Sequence, residues 1–261
     1  MEAEEDASPS CSATAIQEDA STSRQPVVLC YGDSLTAGYT ALTKYSGAFS
    51  PWAPYVSDAL GVTVDHVGMC GWTAAQMYEG INSASNSDIC ENSHPGLRSL
   101  LVEKEYTHVL LMAGSNDLKR HAVNDIVEKL ERLHAVCHTA GVRTLALGIP
   151  HSKSSTVRSS GRGERRLQVN QRLSAYAARS GGWCVYCAPG EERLVWEEGS
   201  MFFEADGLHL TRAGYARFAR LLVRSGLRAF LLHHHPRFEL SLPPAISTAE
   251  LAWRRGMRGW M

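Results

Sequence analysis

Val27-Val28-Leu29-Cys30-Tyr31-Gly32-Asp33-Ser34-Leu35-Thr36-Ala37-Gly38 is the stretch from which the fold follows. Val27 to Tyr31 is a continuous apolar run rich in β-branched residues, the pattern of a buried strand. It stops at a glycine and two small polar residues. A buried strand ending this way delivers Gly32, Asp33 and Ser34 to the carboxyl edge of a sheet, where open α/β folds bind ligands. Ser34 is therefore a candidate nucleophile. A serine hydroxyl is weak alone, so this reading requires a base and oxyanion donors elsewhere in the chain. Asp33 and Ser34 are also good helix N-caps, and this stretch by itself leaves a simple helix start as an equal rival.

Working outward, the same alternation recurs. Pro51-Trp52-Ala53-Pro54 opens a helix to Leu60, with proline in its first turn and Gly61 as its stop. Val62 to Val67 is a second strand, ending in Gly68-Met69-Cys70-Gly71-Trp72-Thr73. A helix is expected from Thr73 to Tyr78, a polar Asn/Ser loop from Ile81 to Pro95, and a helix from Leu97 to Glu105. Thr107 to Met112 is a third strand that ends in Ala113-Gly114-Ser115-Asn116-Asp117. Val123, Ile126, Val127, Leu130, Leu133 and Cys137 share one face of a helix stopped by Gly141. Val142 to Leu147 is a fourth strand and Trp183 to Cys187 a fifth, with a helix from Leu167 to Ala178 between them. Gly38 to Ser50 and Gly148 to Gly163 read as loops. Thr211 caps a last helix running to about Phe230. Strands alternating with helices predict a three-layer α/β/α sandwich around a mostly parallel five-stranded sheet of flavodoxin-like order.

The 261 residues suffice for one such domain, and 44% apolar residues are ordinary for a globular chain. Residues 1–24 are acidic and Ser/Thr-rich with one large apolar residue, Ile16, and are expected to be a disordered tail. The domain is expected over 25–232. Residues 233–261 form a Pro- and Arg-containing tail in which a short helix from Ala249 is an option. A net charge of −1 gives no reason to expect a nucleic-acid partner. No apolar run approaches a membrane span, so no stable membrane insertion is expected, and no partner protein is evident. The acidic start lacks the apolar core of a secretory signal. Seven scattered cysteines without a disulfide framework read as reduced thiols, and the expectation is a cytoplasmic protein.

Four strand-end loops carry distinctive polar groups: Asp33-Ser34, Gly71, Asn116, and Asp206 with His209. Acyl transfer through serine needs such parts. A base must take the hydroxyl proton, and histidine does so near neutral pH. A carboxylate must fix the imidazole tautomer and steady the imidazolium. Asp206 lies three residues before His209, close enough in a turn to reach Nδ1 and leave Nε2 for Ser34. The backbone N–H groups of Ser34 and Gly71 and the Asn116 amide are suitable oxyanion donors. Gly32, Asp33 and Asp117 flank these groups as supporting positions.

These blocks resemble the GDSL or SGNH hydrolase family. The likeness is strong at Tyr31-Gly32-Asp33-Ser34-Leu35-Thr36-Ala37-Gly38, at Gly114-Ser115-Asn116-Asp117, and at Asp206-Gly207-Leu208-His209-Leu210-Thr211-Arg212-Ala213-Gly214-Tyr215. It is weaker at the Gly71 block, where the family usually has an asparagine in place of His66. The four blocks occur in the family's order over residues 31–215. The resemblance implies a three-layer fold and an esterase, lipase or acyltransferase acting on a small-molecule ester. It implies no metal or other cofactor. It also implies Ser34 as nucleophile, Gly71 and Asn116 as oxyanion donors, and Asp206 and His209 as the rest of a triad. An α/β-hydrolase is disfavoured, because Gly32-Asp33-Ser34-Leu35-Thr36 lacks the second glycine of a G-x-S-x-G elbow. An acyltransferase of the same fold and a catalytically silent lipid- or sugar-binding module are the alternatives.

Other groups carry blander readings. His134, Cys137 and His138 lie on one helix, where a metal pair is conceivable and a solvated helix edge with Cys137 in the core is expected. Cys184 and Cys187 are three apart on a strand and face opposite ways. Lys153, Arg158, Arg162, Arg165 and Arg166 read as solvated loop charge before an acidic-substrate site. His233 to His235 are expected to be solvated. Trp253, Arg254, Arg255 and Trp260 read as a frayed terminus.

Overall fold

The computed structural model describes residues 25–191 and 193–232. The expectations for the tails at 1–24 and 233–261, with His233 to His235, the helix from Ala249 and the Trp253 to Trp260 segment, lie outside the described residues. Five strands form one parallel sheet: β1 (Val27–Asp33), β2 (Thr63–Met69), β5 (His108–Met112), β6 (Arg143–Leu147) and β7 (Cys184–Cys187), in the order β2-β1-β5-β6-β7. Two further strands, β3 (Asn86–Ser87) and β4 (Ser93–His94), make a small antiparallel hairpin. The order reverses at β1, between β2 and β5, so the carboxyl end of β1 opens into the crevice typical of doubly wound sheets. The expected sandwich is present.

Alternation along β1 sorts its side chains into two cores. Leu29 and Tyr31 face α4 (Ala74–Glu79), α5 (Leu97–Glu103), α6 (Val123–Thr139) and α8 (Arg162–Arg179) through Met77, Leu97, Ile126, Leu130 and Val169. Val28 and Cys30 face α3 (Ala53–Leu60) and α9 (Arg212–Leu222) through Trp52, Val56, Tyr215 and Phe218. Both faces of a parallel sheet must be covered, which is why β1 reads as an unbroken apolar run. Cys184 and Cys187 take opposite faces, as their spacing requires: Cys184 packs with Ala146 and Ala177, Cys187 against the α9 side. Among the described residues, no helix is long and apolar enough to cross a membrane.

Several loops are more structured than their composition suggests. After the short helix α1 (Ser34–Ala37), the 38–50 segment contains α2 (Thr43–Ser46). The 81–95 segment contains the β3–β4 hairpin. The 148–163 segment contains α7 (Lys153–Thr156), opened by a Ser152 and Ser155 capping box, and a 3-10 turn over Arg158–Ser160. α8 starts at Arg162, five residues before the expected start. Its first turn, Arg162-Gly163-Glu164-Arg165-Arg166, is polar and shows no apolar period, and tertiary bonds hold it instead. Arg165 donates from Nε to the Leu118 carbonyl at 2.9 Å. Arg166 is buried and forms a bidentate pair with Glu191 at 2.7 and 2.8 Å. These two arginines are therefore structural rather than solvated loop charge. The last helix also breaks: Ser225 and Gly226 leave helical backbone angles, and the chain resumes in α10 (Arg228–Leu232).

His134 departs from the expected solvated helix edge. Its side chain is fully buried where α8 covers α6, with the Tyr176 ring 5.8 Å away. Burial, and secondarily the neighbouring His138, push its pKa down to about 3. No group of three or more His, Cys, Asp or Glu side chains with metal-binding placement occurs among the described residues.

Candidate active site

The helix start that the opening stretch allowed is realised. Asp33 caps α1, its Oδ1 accepting the Leu35 N–H at 3.0 Å, and Ser34 is the first helical residue. Gly32 lets β1 approach β5: a Cβ there would stand 2.0 Å from the Met112 carbonyl oxygen and 2.5 Å from Thr36 Oγ1. This close passage sets the height at which Ser34 leaves the sheet. Asp33 is fully buried, and that desolvation lifts its pKa to about 6, against the Leu35 N–H bond and the nearby His209 that lower it.

His209 arrives from the other end of the chain. Its segment is clipped antiparallel to residues 202–204: Glu204 N–H donates to the His209 carbonyl at 2.8 Å and Thr211 N–H to the Phe202 carbonyl at 3.0 Å. Thr211 then caps α9, accepting the Gly214 N–H at 3.1 Å. In the turn before it, Asp206 Oδ1 accepts the N–H groups of Leu208 and His209 at 2.8 and 2.9 Å. Asp206 Oδ2 lies 2.6 Å from His209 Nδ1, and His209 Nε2 lies 2.9 Å from Ser34 Oγ. Partial burial raises the Asp206 pKa, but the bonds from the His209 ring and the two N–H groups outweigh it and hold the carboxyl at about 2. The Tyr39 ring packs 4.5 Å from the His209 ring, and Tyr215 Oη donates to the Tyr39 carbonyl at 2.8 Å. Helix α9 and the loop after α1 are thereby tied to one another beside His209.

The other two loops meet next to Ser34. Gly71 has φ +76°, a left-handed conformation that favours glycine, and the Ile89 side chain lies against it. Asn116 donates from Nδ2 to the Trp72 carbonyl at 2.9 Å, which joins the third strand's end to the Gly71 loop. That bond takes one amide hydrogen and leaves the second for another acceptor. Asp117 is buried and accepts the Ala74 N–H at 3.0 Å, anchoring the start of α4 behind the same loop. Burial raises its pKa, against the Ala74 bond.

All the candidate site residues lie at or beside the strand ends of one sheet edge, and direct bonds join Ser34, His209 and Asp206 as well as Asn116 and the Gly71 loop. Two contributors escape a reading of the sequence. Tyr39 follows Gly38 with nothing to mark it as the neighbour of a histidine 170 positions on. Asp88 sits in an Asn/Ser-rich run where an aspartate is an ordinary turn residue; its bond to Cys70 depends on how that run folds back.

A parallel sheet in the order β2-β1-β5-β6-β7, covered by helices on both faces and carrying a serine, a histidine and an aspartate bonded in series at its carboxyl edge, has the SGNH-like α/β/α fold. The model of the GDSL-like lipase/acylhydrolase family matches residues 30–217, and the chain belongs to that family. Among solved structures, it is similar to a carbohydrate acetylesterase family member from Sinorhizobium meliloti at 22% identity, covering 79% of this chain and 99% of that one, with a TM-score of 0.59. A GDSL-like lipase from Bacteroides thetaiotaomicron matches at 15% identity over 79% of this chain and 92% of that one, with a TM-score of 0.56. A member of the lipolytic G-D-S-L family from Veillonella parvula matches at 17% identity over 77% and 98%, with a TM-score of 0.55. No curated protein matches the sequence. These likenesses share the fold, and family membership makes the chain a hydrolase.

Proposed function

We propose that the chain hydrolyses carboxylic esters through an acyl-enzyme formed on Ser34. The observation that carries this reading is the bonded series Ser34 Oγ to His209 Nε2 at 2.9 Å and His209 Nδ1 to Asp206 Oδ2 at 2.6 Å. Asp206 keeps the ring proton on Nδ1, so Nε2 is free to accept the hydroxyl proton as Oγ attacks the ester carbonyl carbon. The carbonyl oxygen gains negative charge and is met by the Ser34 and Gly71 N–H groups and the spare Asn116 amide hydrogen. His209 passes its proton to the departing alcohol oxygen as the tetrahedral intermediate collapses. A water then gives a proton to Nε2, attacks the acyl carbon and releases the acid, and the serine proton is restored. The substrate class in this reading is a small-molecule ester.

The test is labelling by a fluorophosphonate, which phosphorylates an activated serine, together with turnover of p-nitrophenyl esters from acetyl upward. Labelling of the wild-type chain at Ser34 with ester turnover is the expected result. A folded chain that neither labels nor cleaves any of these esters is a binding module instead.

A further inference from the structure

Asp88 joins two segments that lie 18 residues apart. Its Oδ2 accepts the Cys70 N–H at 2.9 Å, while its Oδ1 accepts the N–H groups of Cys90 and Asn92 at 2.9 and 3.0 Å. The residue is buried. The next residue adds a second tie: Ile89 N–H donates to the Cys70 carbonyl at 3.3 Å. Cys70 is thus held at both its N–H and its C=O by consecutive residues of the β3–β4 hairpin.

The consequence falls on Gly71. The Cys70 carbonyl and the Gly71 N–H belong to one peptide, which is planar and trans, so they point in opposite directions. Fixing the carbonyl therefore fixes the direction of the N–H. The Ile89 side chain closes over the glycine, with Cδ1 2.7 Å from where a Cβ would stand. From the far side, Asn116 holds the Trp72 carbonyl at 2.9 Å. The Gly71 N–H itself makes no hydrogen bond among the described residues.

We infer that Asp88 is a positioning residue for the proposed reaction: by holding the Cys70 N–H while the adjacent Ile89 N–H holds the Cys70 carbonyl, it keeps the Cys70–Gly71 peptide against the hairpin and aims the Gly71 N–H at the developing oxyanion. The inference rests on the esterase reading. A carboxylate suits the task because both of its oxygens only accept. In Asp88→Asn one oxygen becomes NH₂, which faces a backbone N–H whichever way the amide turns. With the oxygen kept toward Cys90 and Asn92, the hairpin keeps its own turn and the Gly71 loop is released. The bond at stake strengthens as charge develops, so its loss lowers kcat and spares KM.

The experiment measures p-nitrophenyl acetate kinetics and melting temperature for the wild type, Asp88→Asn and Asp88→Glu, with hydrogen exchange over residues 69–73. Asp88→Asn is expected to lower kcat by roughly 10- to 100-fold, somewhat less than deleting an oxyanion donor outright. KM stays within about twofold, and exchange at 69–73 quickens while the rest of the sheet keeps its protection. Asp88→Glu keeps the acceptor but displaces it by one methylene, and a loss of about threefold or more in kcat at unchanged KM is expected. A folded Asp88→Asn with wild-type kcat, or a change in KM alone, overturns the inference. If Asp88→Asn does not fold, Asp88→Glu decides, and wild-type kcat there overturns it. If the wild type neither labels with fluorophosphonate nor cleaves the ester, the esterase reading falls and this inference with it. Labelling and turnover in the wild type alongside an unaffected Asp88 variant remove the Asp88 inference alone.

Discussion

His209 and His134 are both shielded by the fold, yet the chain surrounds them in opposite ways. His209 has a carboxylate 2.6 Å from one ring nitrogen and a hydroxyl 2.9 Å from the other. His134 is fully buried in the α6–α8 interface, and neither of its ring nitrogens has a hydrogen-bond partner among the described residues. Desolvation, with a smaller contribution from the neighbouring His138, penalises the cation and pushes His134 down to about 3. A histidine that is to carry a proton during a reaction needs a fixed tautomer and an anion to face the cation as it forms. Shielding is common to the two sites; partners are what separate them.

The sharpest way to break this contrast is to remove the group that His209 faces. Ser34→Ala is expected to lower kcat by on the order of 10⁴ to 10⁶ without loss of fold, as removal of a nucleophile does. Substantial ester turnover by the pure, folded variant would mean that His209 serves some other hydroxyl. Next comes the anion. Asp206→Asn leaves Ser34 and His209 in place but favours the wrong tautomer, with an expected loss of about 10³ to 10⁴ in kcat. Asp33→Asn, at the other acid beside Ser34, is expected to cost less than about tenfold, because Asp33 Oδ1 caps a helix rather than meeting the ring. The reverse ranking in kcat would reassign the acid.

A smaller effect tests the oxyanion side of the site. Asn116→Ala should lower kcat by about 10² to 10³ and leave KM nearly unchanged, since the amide is proposed to act on the transition state. A raised KM at constant kcat would make Asn116 a substrate-binding residue.

The smallest effect concerns His134 and shows in stability rather than rate. Its folded pKa of about 3 lies below the ordinary value of about 6.5 expected in the unfolded chain. Above 6.5 both states are neutral there and the residue is indifferent to pH. As the pH falls below that, the unfolded chain gains a proton that the folded chain refuses until about 3, so stability is lost. The deficit from this residue reaches about 2 kcal/mol by pH 5. His138, lowered to about 4 by burial, shifts in the same direction and adds a smaller, more solvent-screened loss of its own. His134→Leu should therefore lose less stability between pH 7 and 5 than the wild type, read as denaturation midpoints at each pH. Parallel losses in the two proteins would show that His134 is not part of the acid response.

The placement of His209 beside Asp206 and Ser34 and the misreading of His134 illustrate what a sequence discloses. Gly32-Asp33-Ser34 ends an apolar run, and Asp206 precedes His209 by one turn; both are local patterns, and local geometry carries them into the fold. β1, β5 and β6 were legible because a buried parallel strand shows its burial on both faces. His134 looked like a helix edge because Glu131, Arg132 and His138 lie close to it in sequence, while its burial comes from the packing of α8 across α6, which brings the Tyr176 ring to 5.8 Å. The early start of α8 was hidden because Arg165 and Arg166 anchor it through distant carbonyls and Glu191 rather than through an apolar face. Asp88 was hidden for a related reason: its bond to Cys70 crosses a hairpin that the Ser- and Asn-rich segment does not advertise.

Ser34 and His209 stand 175 residues apart in the chain. During synthesis the amino-terminal strand emerges first, and β1 with Ser34 is in hand long before the last loop has been made. Closing so long a connection costs chain entropy that the sheet's own long-range pairings must first offset. A nascent chain ending before residue 206 thus has Ser34 without Asp206 and His209. The bonded series from Ser34 through His209 to Asp206 can form only after the final loop has been made and α9 docks.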